Sequence, residues 1–357
     1  MKKLKVAIIG QGRSGRNIHG AFFSGEKNNV CEVCAVVELD PARRDLAAKE
    51  YPSAVILEDY KDLFNMNEIE LVVNATFSQD HYAITKDLLS HGKNVLVEKP
   101  MARNRYECDD LIKCARDNGV VLAVFQQTFL APYYLKALEI CKSGILGEIK
   151  QINITYNGLV RRWDWQTLQC KMAGSIFNTG PHPIGMALGF LDFDEHAYVA
   201  YSSRDTLLTS GDAEDYAKII ITAPGKATVD IEMISTDAFP EDTLKIIGSK
   251  GTFKSTGTAY TMKYIVDGEN PVREVVFGAL KDADGMPVYC SETLITHEES
   301  GAFDGTAFDI GTASFYEMLY ERIRNNKPLE VTPQMAARIV GIIEEVHAKN
   351  PLPLIYS

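Results

Sequence analysis

What this chain lacks bounds it first. None of its apolar runs reaches the roughly 18 residues that a membrane span needs. Positive charge is in deficit, with 37 Lys and Arg against 48 Asp and Glu and a net charge of −11. Such a balance opposes wrapping around nucleic acid, whose phosphates call for a basic surface. Cysteine is scarce and odd in number, seven in 357 residues, which does not suit a disulfide framework. Cys31 and Cys34 have CxxC spacing, but no second Cys or His pair completes four ligands, so they read as small apolar residues of a strand. None of the seven histidines is spaced as a metal pair, and no metal site is expected. Repeats and low-complexity tracts are missing too. The opening MKKLKVAIIG starts with charge like a leader, yet its apolar stretch is only residues 6–9, so a cytoplasmic protein is the expectation.

What is present suits a globular protein: 46% hydrophobic residues are enough for a core, and the length suggests two domains at about 150 residues each. Residues 5–9 (KVAII), 34–38 (CAVVE), 71–75 (LVVNA), 94–98 (NVLVE) and 120–125 (VVLAVF) read as strands buried on both faces. Helices are expected between them at 16–24, 41–51, 82–91 and 105–118, with Asp40 capping the second and Gly92 and Gly119 closing the last two. Strand and helix alternating in this way predict a doubly wound parallel sheet, of the Rossmann α/β class, over residues 1–125. From 126 to 357 the texture changes. A helix at 133–143 is followed by strands at 149–156, 198–202, 217–222, 227–234, 244–247, 260–266 and 274–277. Pro224-Gly225, Ser249-Lys250-Gly251 and Asp267-Gly268 read as hairpin turns, which implies an α+β domain with a large, mostly antiparallel sheet. Helices at 313–325 and 332–349 close the chain.

Gly10-Gln11-Gly12-Arg13-Ser14-Gly15 is a GxGxxG between the first strand and the first helix. The pattern is weak alone and stronger in this place, because a second strand ending in Glu38 follows. Gly10 would permit the tight turn, Gly12 would let a pyrophosphate approach the backbone, and Gly15 would let the helix pack on the sheet. The helix amino end offers free N–H groups to phosphate. Glu38 would accept the ribose hydroxyls of NAD and repel the extra phosphate of NADP. Arg43 and Arg44 keep NADP as the secondary reading. Glu98-Lys99-Pro100 ends another strand, and at a carboxyl edge Lys99 would enter the ligand crevice.

With these motifs the chain resembles the glucose–fructose oxidoreductase / inositol dehydrogenase (Gfo/Idh/MocA) family over nearly its whole length. GQGRSG, ATFSQDH at 75–81, HGKNVLVEKP at 91–100, NTGPH at 178–182, TLKIIGSKGTF and the closing FYEMLYERIRNNKPLEVTP carry the resemblance. It implies that Lys99 bonds the reacting oxygen, that His182 is the general acid/base, and that Thr76, His81 and Glu98 join the cofactor cleft. The chemistry asks for such groups: losing hydride from a carbinol leaves a proton for a base, and imidazole suits that task. Two departures stand out. The usual pattern has an aspartate four residues before the histidine and an acid three after, where this chain has Asn178 and Gly185. Pro181 and Pro183 also argue against a helix starting before them, so positions 178 and 182 need not share a face. Asp164 is the one substitute carboxylate considered. The usual arginine-rich segment after the sixth strand is replaced by a stretch in which Gln127 would meet substrate or the nicotinamide amide, or simply form a polar loop.

Both tryptophans, Trp163 and Trp165, fall in RRWDWQ. They read either as a wall for sugar C–H faces, with Asn178 and His182 as further substrate residues, or as an interface cluster. Arg161 and Arg162 could instead mean an anionic substrate such as a sugar acid or nucleotide sugar. The expectation is an NAD-dependent dehydrogenase acting on a sugar, sugar derivative or cyclitol. An NAD-using glycosidase and a non-catalytic NAD-binding regulator are the alternatives. By family analogy the chain would form a homodimer or homotetramer.

Overall fold

A computed structural model describes residues 2–356. Strands β1 (Leu4–Ile9), β2 (Cys31–Val37), β3 (Val55–Leu57), β4 (Leu71–Asn74), β5 (Val95–Val97) and β6 (Leu122–Val124) form one parallel sheet in the order β3-β2-β1-β4-β5-β6. The order reverses between β1 and β4, and a crevice opens beyond their carboxyl ends. The strands are apolar throughout because helices cover both faces; Leu4, Val6, Ala7 and Ile8 of β1 are completely buried. Helix α1 is a π-helical run, Arg13–Gly20, that continues as Ala21–Ser24. Asp40 opens α2 (Pro41–Glu50), its carboxylate accepting the Ala42 amide at 2.8 Å. Helices α3 (His81–Ser90) and α4 (Arg105–Asp117) complete this unit, and Asn104 caps α4 through the Glu107 amide.

Helices α5 (Pro132–Ser143), α6 (Ser175–Asn178) and α7 (Pro181–Phe190) belong to the second half. Its strands are β7 (Ile149–Thr155), β8 (Tyr198–Asp205), β9 (Tyr216–Thr222), β10 (Thr228–Ile234), β11 (Leu244–Gly248), β12 (Gly251–Ser255) and β13 (Ala259–Tyr264). A two-stranded hairpin, β14 (Leu280–Lys281) with β15 (Pro287–Val288), precedes β16 (His297–Ala302). The large sheet runs β16-β13-β12-β11-β7-β10-β9-β8, antiparallel except where β7 meets β10. One face, with Ile219, Ile221, Val229 and Ile231, is buried. On the other, Lys218 bridges Asp230 at 2.8 Å and Glu232 at 2.5 Å, the alternation of a sheet covered on one side.

Helices α8 (Thr312–Asn325) and α9 (Pro333–Lys349) end the chain but return to its beginning. Tyr316 stacks on Phe22, and Ala336, Ala337 and Val340 enter the same core as β4, β5 and α4. Among the described residues, no helix is long and apolar enough to cross a membrane.

The structure corrects several expectations. Residues 274–277 form no strand, and Asp267-Gly268 turns no tight hairpin: the chain leaves β13 and returns only at β16, where Tyr264 pairs with His297. Helix α7 begins at Pro181 and not before it, in agreement with expectation, since proline at a helix's first position costs no hydrogen bond. Strands β3, β12, β14, β15 and β16 are additions, β12 and β16 being too polar to stand out from loops.

Candidate active site

The glycine turn is built as its spacing suggests. Gly10 has φ +93°, and a methyl group there would fall 2.6 Å from the Ala75 carbonyl oxygen. At Gly15 the same methyl would lie 1.9 Å from the Gly10 carbonyl oxygen, so no side chain fits between helix and turn. Gly12 is different, with open space beside it. No side chain caps the start of α1, so the amides of Arg13 and Ser14 are available to an anion. Gln11 Oε1 is buried with no partner among the described residues. An open cradle, free amides and an orphaned acceptor fit a dinucleotide.

Glu38 follows β2 and is 8% exposed. Its carboxylate accepts the Gln11 amide at 2.6 Å and the Asp40 amide at 2.9 Å, which ties the turn to the strand end. A carboxylate has about four lone-pair directions, so two remain for ribose hydroxyls. Arg44 spends its guanidinium on the Glu38 and Leu39 carbonyls and on Glu58. Arg43 lies 3.9 Å from Asp40 on the exposed face. Neither arginine is free of a carboxylate, which disfavours a second phosphate at this end.

Three residues expected at the cofactor turn inward. Thr76 Oγ1 donates to Asn74 Oδ1 at 2.7 Å. His81 is buried, with Nδ1 2.7 Å from the Pro100 carbonyl and Nε2 3.2 Å from that of Thr76; burial lowers its pKa. It fastens the segment after β4 to the turn after β5. Glu98 lies 3.2 Å from His19 Nε2, and its other oxygen accepts the Lys99 amide at 3.1 Å.

Lys99, half-buried after β5, donates from Nζ to the Asn178 carbonyl at 2.6 Å. Burial lowers its pKa, Glu98 opposes that, and Arg13 and Arg162 add to it. His182 stands in the first turn of α7, its Nδ1 2.7 Å from Thr128 Oγ1. Burial, and then the charge of Lys99, push its pKa down to about 3. Asn178 ends α6 and donates its amide to the Gln166 carbonyl at 3.2 Å, so Thr128 fills the place beside the imidazole. Position 185 has no room for an acid, because a Cβ there already meets Phe129 and Ile339 at 3.0 Å. Asp164 is paired with Arg162 at 2.7 Å and does not serve the histidine.

Gln127 is 3% exposed, and its Oε1 has no partner among the described residues. The tryptophans separate. Trp163 is 78% exposed, whereas Trp165 packs edge-on against Phe77 with ring centroids 4.9 Å apart, bridging the two halves. A cavity of about 110 Å³ lies next to the Lys99 anchor, lined by Tyr156, Arg162, Gln166, Asn178, Thr179 and Thr209. His182 faces a smaller gap with Gln126, Thr128 and Phe129. Sequence reading passed over Thr128 and His19. Thr128 was within reach of the rule that ligands gather beyond strand ends, since it lies four residues past β6; His19 had no local signal.

Two family models match: "Oxidoreductase family, NAD-binding Rossmann fold" over residues 4–126 and "GFO/IDH/MocA C-terminal domain" over 134–254. The scyllo-inositol 2-dehydrogenase (NADP(+)) of Bacillus subtilis is 21% identical over 96% of this chain and 92% of its own. The inositol 2-dehydrogenase/D-chiro-inositol 3-dehydrogenase of Lactiplantibacillus plantarum is 31% identical over 40% of this chain and 41% of its own. The crystal structure of an NAD-binding protein from Listeria innocua superposes with a TM-score of 0.81 at 19% identity over 98% of both chains. The glycine turn, the Glu-Lys-Pro strand end and matches across both halves together show that this chain belongs to the Gfo/Idh/MocA family of NAD-binding oxidoreductases.

Proposed function

We propose that the protein is an NAD-dependent dehydrogenase that oxidises a secondary alcohol of a neutral sugar, sugar derivative or cyclitol, or reduces the matching ketone. The observation that carries this reading is that a half-buried ammonium, Lys99, stands near enough for its charge to act on the imidazole of His182, which Thr128 holds through Nδ1. In this reading residues 1–125 hold the cofactor and 126–357 the substrate. When bound, NAD supplies a hydride acceptor.

The remaining work falls to the chain's own groups. Lys99 has three N–H donors and spends one on Asn178, so two remain to hold the substrate oxygen and stabilise negative charge there. With Nδ1–H donating to Thr128, His182 Nε2 carries the free lone pair and takes the hydroxyl proton. A pKa of about 3 keeps the imidazole neutral and ready near neutral pH. A protonated carbonyl is a far stronger acid than this imidazolium, so the transfer still runs downhill. Gln127, Trp163, Trp165 and Asn178 belong to the substrate side of this reading.

The neutral substrate class is supported by charge. Arg162 is paired with Asp164, and Glu214 and Asp215 also border the cavity, so its lining carries more negative than positive charge and suits a neutral ligand better than a carboxylate. Two relatives named for inositol put cyclitols first in line. A homodimer or homotetramer is proposed by family likeness alone.

The test is NADH formation over a panel of neutral sugars, cyclitols and sugar acids, with Lys99→Ala alongside. Turnover of a neutral polyol, reduced about 100-fold or more by the substitution, is expected. Glycoside cleavage without net NADH would move the assignment to a glycosidase. Tight NAD binding without turnover on any compound would make the protein a regulator.

A further inference from the structure

Beneath Lys99 lies a buried set of polar groups that the proposed chemistry does not itself use. His19, in α1, is fully buried. Its Nδ1 is 2.7 Å from the Tyr316 hydroxyl, and its Nε2 is 3.2 Å from Glu98 Oε1. Glu98 Oε2 accepts the backbone amide of Lys99 at 3.1 Å. If the Tyr316 O–H donates to Nδ1, the ring's N–H is on Nε2 and faces Glu98 Oε1 at 3.2 Å, an ion-pair contact rather than an aligned hydrogen bond. The ring is packed by Phe125 at a centroid distance of 4.5 Å, and Tyr316 is stacked on Phe22 at 4.6 Å, so neither can swing away. These groups come from α1, the end of β5 and α8, elements brought together only by the return of the chain's end.

We propose that Tyr316, His19 and Glu98 are positioning residues, a buried relay that fixes the Lys99 backbone and gives its ammonium the counter-charge that keeps it a cation. This rests on the reading of Lys99 as the group that holds the substrate oxygen. A buried carboxylate is costly to keep ionised unless donors or opposite charge surround it. Here the Lys99 amide donates to one oxygen and His19 Nε2 stands 3.2 Å from the other, and the Glu98 carboxyl is held down at about 2. The other charged or titratable groups that act on Lys99 and Glu98 are Arg13, Arg162, His182 and His81. Burial is the chief cause that lowers the Lys99 pKa, with Arg13 and Arg162 adding to it, and the relay's carboxylate opposes all three. Without the His19 donor, Glu98 would take up a proton more readily and the counter-charge would fade.

The experiment is a titration of ligand-free protein carrying [ε-13C]lysine, with Lys99 assigned from the spectrum of Lys99→Arg. His19→Leu is expected to lower the Lys99 midpoint by about one pH unit or more, and Tyr316→Phe by a smaller amount in the same direction. His19→Gln, which keeps an N–H for Glu98, is expected to recover most of the loss. An unchanged midpoint in folded His19→Leu overturns the relay; if that variant does not fold, an unchanged midpoint in Tyr316→Phe does so. The underlying reading fails separately. If Lys99→Ala turns over the best substrate as wild type does, Lys99 does not hold the reacting oxygen, whatever the midpoints show.

Discussion

A buried imidazole needs a neighbour to hold its ring in place, and in this chain the neighbour is a hydroxyl rather than a carboxylate. Thr128 orients His182 through Nδ1 without adding negative charge, which is consistent with a pKa as low as about 3. Thr128→Val keeps the shape and removes the oxygen. We expect kcat to fall by about 10-fold or more with KM within about twofold, and Thr128→Ser to restore most of it. Steady-state kinetics of the three proteins decides, and an unaltered kcat in the valine variant would sink the role. The depressed pKa also has a consequence for stability. In the unfolded chain this histidine titrates near its ordinary value of about 6.5, so below that pH the unfolded state binds a proton that the folded state refuses. Stability tied to His182 is therefore full above about pH 6.5 and drains away as pH falls toward 3. Between pH 7 and 5, wild type should lose about 1–2 kcal/mol more than His182→Gln in urea unfolding. Equal losses would show that the folded imidazole titrates normally.

At the scale of elements, three glycines in one turn do three different things, and two of them can be told apart by a single methyl group. Gly15→Ala places a carbon against the Gly10 carbonyl and should cost about 3 kcal/mol or more in unfolding free energy. Gly12→Ala finds open space and should leave stability within about 0.5 kcal/mol, yet weaken NAD by about tenfold or more, because the methyl stands where the pyrophosphate would lie. Calorimetric titration with NAD and thermal unfolding of both variants check the pair; tight binding by Gly12→Ala would remove the phosphate from this turn. Helix α7 teaches a complementary lesson. Its sequence, PHPIGMALGF, looks broken by proline and glycine, but Pro181 sits where helices accept proline and Gly185 fits against Phe129 and Ile339. That placement puts His182 in the first turn and leaves Asn178 in the separate helix α6, so the expected separation of positions 178 and 182 is what the structure displays.

For the whole molecule, the last 45 or so residues matter to the first sheet as much as to the second. Tyr316 lies against Phe22, Phe23 and Phe125, Arg324 bonds Glu70 at 2.7 Å, and α9 inserts Ala336, Ala337 and Val340 beside the parallel sheet. A fragment of residues 1–125 would expose that apolar surface to water. We expect it to lack dispersed amide resonances and a cooperative unfolding transition, whereas the full chain shows both. A sharply folded fragment would show that the closing helices only decorate the first unit.

How much could be read in advance follows from the range of each interaction. Continuous apolar runs such as KVAII and LVVNA, the Asp40-Pro41 helix start and the GQGRSG turn are local, and each marks its own structure. Strands β12 and β16 are polar on one face and gain their hydrogen bonds only from neighbours distant in the chain, so nothing local announces them. The sequence alone determined the class of the two sheets and the glycine turn, and its resemblance to the family nominated Lys99 and His182. Only the tertiary structure decided that Thr128, not Asn178 or Asp164, partners the imidazole, and that Tyr316 and His19, 297 positions apart, stand behind Lys99 through Glu98. The physical reason is that a hydrogen bond acts over about 3 Å in space and leaves no periodicity along the chain.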